Sequence, residues 1–176
     1  MSINVPEKYW WDVPMDKDEK TWMTVSLVWA LLLTALMPWW HFVGEQNVSS
    51  EYYKVTAEQF DRQTDAFIEQ YQVGEEAGIA VVAPPANADV FIRASSYSWE
   101  PILKLKKGQT YRVHLSSVDL NHGFSVQPVN MNFQVVPGWD HVLKITPTTS
   151  GDFFIVCNEF CGIGHHTMIG KIIVES

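Results

Sequence analysis

Cys157-Asn158-Glu159-Phe160-Cys161-Gly162-Ile163-Gly164-His165-His166-Thr167-Met168 puts two thiols, an imidazole and a thioether into one turn-rich loop. The loop lies between two short apolar runs, Phe153–Val156 and Gly170–Val174, which read as strands. Ligands slung between strands are held by a rigid scaffold, which a redox site with little reorganisation requires. The spacing is Cys-x3-Cys-x3-His-x2-Met. Soft thiolate and thioether donors with imidazole select copper over hard cations. One thiolate suffices for a mononuclear blue site, whereas a second lets two coppers share a pair of bridging sulfurs. The expectation is a two-copper electron-transfer site. The competing reading is a disulfide, because Cys157 and Cys161 are the only cysteines and an exported domain commonly joins such a pair.

Working outward, the β pattern continues through Phe91–Ser95, Ile102–Leu105, Tyr111–Leu115, Phe124–Val126, Phe133–Val136, His141–Ile145, Asp152–Val156 and Lys171–Val174. Turn residues at Gly108, Pro137-Gly138, Pro147 and Gly151 separate these runs. Short strands at such regular spacing predict a sandwich or barrel over 90–176. A second histidine must come from this domain or its flanks. His41 is in an apolar flank, His114 is mid-strand, and His141 begins a strand with no ligand partner nearby. His166 should point away from its neighbour His165. His122, in Asp119-Leu-Asn-His122-Gly-Phe, falls in a turn between strands and is chosen as the fourth strong ligand.

The N-terminal part differs in kind. Thr21 to Gly44 holds no charged residue, and the run is bounded by Trp22 on one side and Trp39 and Trp40 on the other. At about 1.5 Å per residue, Trp22 and Trp39 lie roughly 26 Å apart, close to the hydrocarbon thickness of a bilayer. Indoles prefer both interfaces, so a membrane-spanning helix is predicted over 21–43, with Pro38 in its last turn. The run is longer than a signal peptide's apolar region, and residues 1–20 precede it. Lys8, Lys17 and Lys20 stand before it and only Lys54 follows closely, which predicts a cytoplasmic N-terminus and a C-terminal domain on the outer face.

Residues 44–89 read as an acidic connecting segment. Glu45 to Glu76 contains eight acids against Lys54 and Arg62, whereas 77–176 contains seven acids and seven bases. Thr56 and Gln59 form a capping box, and Phe60, Phe67, Ile68 and Tyr71 then share one helical face. Residues 73–89, with Gly74, Gly78, Pro84 and Pro85, read as a linker. The net charge of -8 argues against nucleic acid as a partner.

These motifs resemble subunit II of the haem–copper oxidases, which carries the binuclear CuA centre. The residues concerned are His122-Gly-Phe, Phe133-x3-Pro137-Gly138, Gly151-x-Phe, Cys157-Asn-Glu-Phe-Cys161-Gly-x-Gly-His165-x2-Met168 and Gly170-x-Ile-x-Val. The resemblance implies a mostly β, cupredoxin-like Greek-key sandwich anchored by one N-terminal transmembrane helix. It implies that Cys157 and Cys161 bridge two copper ions. His122 and Met168 would then serve one copper, His165 and the Glu159 carbonyl the other. It also implies a cytochrome c donor, a haem-bearing subunit I as acceptor, and reduction of dioxygen to water there.

The single helix and the His-Gly-Phe wording resemble the B-type members, in which a glutamate at the start of the helix serves proton uptake. Glu19 holds that place, and it reads equally as an acid favoured by the helix dipole. Trp99, in Tyr97-Ser98-Trp99, occupies the family's aromatic segment near the metal and reads either as part of the electron path or as a core aromatic. The balanced charge of 77–176 predicts an apolar docking patch for the donor. Three other readings stay open: the CuA subunit of a copper-containing nitric oxide reductase, a membrane-tethered copper-binding module, and a metal-free sandwich with a disulfide.

Overall fold

The computed structural model of the chain describes residues 8–12, 14–44, 51–129 and 131–176. The remaining parts of the expected segments 1–20 and 44–89 lie outside the described residues. The chain forms two units, Met1–Gln46 and Asn47–Ser176.

Among its described residues the first unit contains a short 3-10 turn at Trp10–Asp12 and one α-helix, α1 (Lys17–Val43). Asp16 caps it. The Asp16 carboxylate accepts the Glu19 N–H at 2.8 Å, and the Glu19 carboxylate accepts the Asp16 N–H at 3.1 Å. Thr21 and Thr24, which follow the charged first turn, donate their hydroxyls to the carbonyls of Lys17 and Lys20, so neither leaves an unpaired hydroxyl in an apolar setting. The helix is long and apolar enough to cross a membrane, and none of its residues is buried within the unit. It runs on to Val43 beyond Pro38, so the proline is carried inside the helix instead of ending it.

The second unit is a β-sandwich with one α-helix among its described residues. Its elements are β1 (Glu51–Lys54), α2 (Ala57–Tyr71), β2 (Gln72–Glu76), β3 (Ile79–Val82), β4 (Asp89–Ser95), β5 (Ser98–Glu100), β6 (Ile102–Lys106), β7 (Tyr111–Ser117), β8 (His122–Gln127), β9 (Met131–Val135), β10 (Trp139–Ile145), β11 (Gly151–Val156) and β12 (Ile169–Glu175). One sheet has the order β1-β10-β7-β4-β5, the other β2-β3-β6-β12-β11-β8-β9. All eight strands expected from the pattern are present. Alternation decides the inner face: Val90, Ile92 and Ala94 of β4 and Tyr111, Val113 and Leu115 of β7 are buried. Opposite them lie Leu103, Leu105, Phe124, Val126, Ile155, Ile172 and Val174.

α2 starts at the expected capping box, with Thr56 and Gln59 exchanging bonds of 3.0 and 3.2 Å. It buries Phe60, Thr64 and Phe67, and both phenyl rings meet Phe91 of β4 at 5.8 Å. Arg93 of β4 pins the helix further, pairing with Asp61 and Asp65 of α2 and with Glu100 of β5. Those carboxylates are partly solvated, so each pair contributes at most about 1 kcal/mol, and the apolar seam dominates.

Of the linker expected over 73–89, the part up to Val82 is instead a hairpin, and only 83–88 is a loop leading to β4. β2 and β3 pair across Ala77 and Gly78, both at positive φ, and β3 adds to β6 in parallel. Gly78 serves a tight turn and not a flexible spacer. The acidic residues from Glu51 onward are consequently part of the folded unit, and four of them have cationic partners: Glu51 pairs with Arg112, Asp61 and Asp65 with Arg93, and Glu76 with Lys171. Over Asn47–Ser176 there are fourteen acids and nine bases, so the unit as a whole is acidic while its 77–176 part stays balanced.

Candidate metal centre

The expected ligands come from two places. Cys157, Glu159, Cys161, His165 and Met168 lie on the loop between β11 and β12, and His122 opens β8. His122 is therefore a strand residue with no exposed surface, not a turn residue. The loop is tied at its base by the Cys157 N–H, which donates to the Met168 carbonyl at 3.2 Å. Inside it, a short 3-10 turn at His165–Thr167 is held by the His165 N–H on the Gly162 carbonyl and the Thr167 N–H on the Gly164 carbonyl. Gly162 has φ +125 and lies, with Gly164, directly beneath the ring of Tyr97. A side chain at either position would collide with that ring, which gives the Cys-Gly-x-Gly-His wording its physical reason.

The six residues converge. Both cysteines are free and buried, with their sulfurs 3.8 Å apart. Cys157 Sγ stands 3.9 Å from His122 Nδ1 and 3.2 Å from the Glu159 carbonyl oxygen. Cys161 Sγ stands 3.6 Å from His165 Nδ1 and 3.8 Å from Met168 Sδ. The ligand atoms of His122, Cys157 and Cys161 all lie within 4.8 Å of one another. Each sulfur thus has its own imidazole and its own weak donor. A metal–thiolate bond of about 2.3 Å is longer than half the sulfur separation, so metals can bridge both sulfurs from either side of the line joining them. The donor set fits a soft transition-metal pair and offers nothing to a hard cation. Burial and the adjacent Cys157 thiol push the Cys161 thiol up to about 11, so metal uptake must expel a proton and is favoured as pH rises.

Two neighbours were not assigned from the sequence. Asp119 Oδ1 lies 2.8 Å from His122 Nε2. Burial pushes this carboxyl up, but hydrogen bonds from Ser96, His122 and the Leu120 N–H outweigh it and hold Asp119 well below the usual carboxylate range. Asn158 lies over Gly123 and donates its amide to Asn132 Oδ1 at 3.1 Å, joining the cysteine loop to β9. The signal for Asp119 was its place three residues before His122. Nothing in the sequence marked Asn158.

The structure places two further expected residues. Trp99 is a core aromatic, 1% exposed, edge-on to His122 at 6.1 Å and to Phe124 at 5.5 Å. It cannot itself meet a docking protein, and the exposed aromatic of that segment is Tyr97. Glu19 is half of the capping box of α1 and belongs to the other unit. Around the cysteine loop large apolar side chains are exposed, Leu120 by half, Phe160 by 82% and Ile163 by 93%, beside the exposed polar residues Asn121, Asn158, Glu159 and His166.

Comparison with known proteins places this arrangement. The profile described as cytochrome C oxidase subunit II, periplasmic domain, matches residues 100–176. Two proteins named cytochrome c oxidase subunit 2 from Thermus thermophilus are similar. The first is 27% identical over 159 residues, covering 89% of this chain and 91% of that protein. The second is 30% identical over 102 residues, covering 57% of this chain and 76% of that protein. Among solved structures, a chain from the cryo-EM structure of a heme-copper terminal oxidase dimer aligns with TM-score 0.56 at 26% identity, over 90% of this chain and all (100%) of that chain. Rusticyanin from Thiobacillus ferrooxidans, TM-score 0.53 at 20% identity over 73% of this chain and 99% of its own, shares the cupredoxin-like fold.

Proposed function

The chain belongs to the cytochrome c oxidase subunit II family, and from that premise we propose that it is the electron-relay subunit of a terminal haem–copper oxidase. Electrons would come from a cytochrome c to a binuclear CuA centre and pass to haem in subunit I, where dioxygen is reduced to water. The observation that carries this reading is the pair of buried thiols 3.8 Å apart, each with one imidazole beside it. When bound, two coppers supply a site over which a single electron is shared, so each bond changes little on reduction.

The residues do the rest. Cys157 and Cys161 would hold the two coppers as thiolates, His122 and His165 would supply nitrogen ligands, and Met168 and the Glu159 carbonyl would be the weak donors that tune the potential. Burial of His122, both cysteines and Met168 keeps water away, and the loop's internal backbone bonds hold the donors still. α1 anchors the domain, with the lysine bias favouring a cytoplasmic N-terminus and an outward copper domain. Leu120, Phe160 and Ile163 form the apolar surface that receives the donor. For Glu19, capping suffices as a role, and unchanged turnover and pumping in Glu19→Gln would remove a proton role.

The test is copper content and electron paramagnetic resonance of the copper-loaded chain. Two coppers per chain and a seven-line hyperfine pattern, from one electron shared by two equivalent nuclei, support the relay. A four-line signal from an isolated cupric ion, or no copper, refutes it.

A further inference from the structure

We propose that Asp119 is a positioning residue that fixes the tautomer and donor strength of His122, and through it the reduction potential of the copper pair. The second half of this proposal rests on the copper reading above. Asp119 Oδ1 lies 2.8 Å from His122 Nε2, and His122 Nδ1 faces Cys157 Sγ at 3.9 Å. An ionised carboxylate only accepts, so Nε2 carries the hydrogen and Nδ1 keeps its lone pair aimed at the sulfurs. His122 has no exposed surface, so water does not compete for either nitrogen.

Asp119 is itself immobilised. Its Oδ2 accepts the Ser96 N–H at 2.7 Å, and its Oδ1 also accepts the Leu120 N–H at 2.6 Å. Its own N–H donates to the Ser117 hydroxyl at 3.2 Å, and that hydroxyl donates onward to the Leu120 carbonyl at 2.5 Å. The carboxylate is therefore locked between the end of β7, the β4–β5 turn and the start of β8. His165 has no carboxylate contact of this kind among the described residues. The two imidazoles are consequently unequal: the one held by Asp119 is the stronger donor. A stronger donor stabilises the oxidised pair, which lowers the potential.

The experiment uses the full chain in detergent, wild type beside Asp119→Asn and Asp119→Ala. In the copper-loaded chain, both variants should shift the oxidised-to-reduced ratio at fixed ambient potential by about tenfold toward reduced, a rise of about 59 mV for one electron. In the metal-free chain, nitrogen-15 NMR should find His122 as the Nε2–H tautomer in wild type and as a mixture in Asp119→Ala. A potential and a tautomer both unchanged in Asp119→Ala would overturn the proposal. Where a variant takes up no copper, the tautomer alone decides: a mixture supports positioning by Asp119, and an unchanged Nε2–H form refutes it. Failure of the relay reading looks different, because wild type itself would then lack the shared-electron signal whatever His122 does.

Discussion

Adding one methyl group at Gly123 tests whether the strand bearing His122 and the cysteine loop must touch. Built on the observed backbone, the new Cβ overlaps Asn158 Oδ1 and stands 2.9 Å from the Glu159 amide nitrogen. Ordinary contact begins at 3.4 Å, so the loop has to retreat by about 0.5 Å. The Asn158 side chain is exposed and can swing aside, at the loss of its 3.1 Å bond to Asn132. The Glu159 amide is backbone and retreats only if the Cys157–Glu159 segment moves with it. Overpacking of this kind costs roughly 1–3 kcal/mol. On the order of 4 °C per kcal/mol for a domain of this size, the unfolding midpoint of Gly123→Ala should fall by roughly 4–12 °C. The Glu159 carbonyl, 3.2 Å from Cys157 Sγ, moves too, so the visible and magnetic spectra of the copper-loaded chain should also change. Gly123→Ala with Asn158→Gly removes the side-chain overlap but not the backbone contact, and should recover only part of the loss. An unchanged midpoint and spectrum in Gly123→Ala would refute the reasoning. Full recovery in the double variant would refute its backbone part.

Three further outcomes are expected. Met168→Leu keeps volume in a site 1% exposed, so stability should change by less than about 1.5 kcal/mol while the potential rises; a redox titration identical to wild type would remove Met168 from the ligand set. Oxidation of the donor should depend weakly on ionic strength and strongly on Phe160→Ala and Ile163→Ala, because apolar contact is not screened. A steep fall in turnover between low and physiological salt would show charge steering instead. His114 is lowered by burial, but the Asp140 bond at 2.7 Å and the Asp89 contact outweigh this and hold it above its ordinary value of 6.5. A raised folded value stabilises fully below the unfolded value and is lost as pH rises through the folded one. The unfolding midpoint should therefore fall as pH goes from about 6 to 8, and a pH scan of Asp140→Asn should be flatter than wild type.

Much of this was legible before the structure because each signal was local. The cysteine loop, the apolar helix with its indoles and the alternating strands are read within a dozen residues. The capping boxes differ: Thr56–Gln59 stands out as a motif, while in Asp16–Glu19 the same glutamate also suits a proton group, and the paired bonds show that it caps the helix. What was missed or left open was non-local. Gly74 and Gly78 signal a turn and a spacer in the same letters, and only pairing of β3 with β6 decides between them. Trp99 and Tyr97 are two residues apart, and the turn before β5 sends one into the core and leaves the other exposed, but the absolute phase of so short a strand is set by its partner Ala94. Asp119 gained its role from a contact across a strand boundary that spacing alone does not specify.

The ligand geometry follows from the order of strands more than from the loop that carries most of the donors. β8, β11 and β12 are consecutive neighbours in one sheet and alternate in direction. The start of β8, the end of β11 and the start of β12 therefore meet at one edge, which delivers His122, Cys157 and Met168 together. Adjacent strands run about 4.8 Å apart, so side chains from them reach sulfur separations of a few ångströms without a distorted backbone. The register makes this exacting. Val156 pairs with Ser125 and Ile155 with Val126, and a slip of one residue would turn His122 to the outer face and take its imidazole away from Cys157. Phe124 and Val126, on the inner face of β8, resist that slip, since it would expose both to water at a cost of about 1.5–3 kcal/mol each. The hydrophobic core thus enforces the donor geometry: the alternation that buries Phe124 and Val126 is the one that aims His122 at the sulfurs.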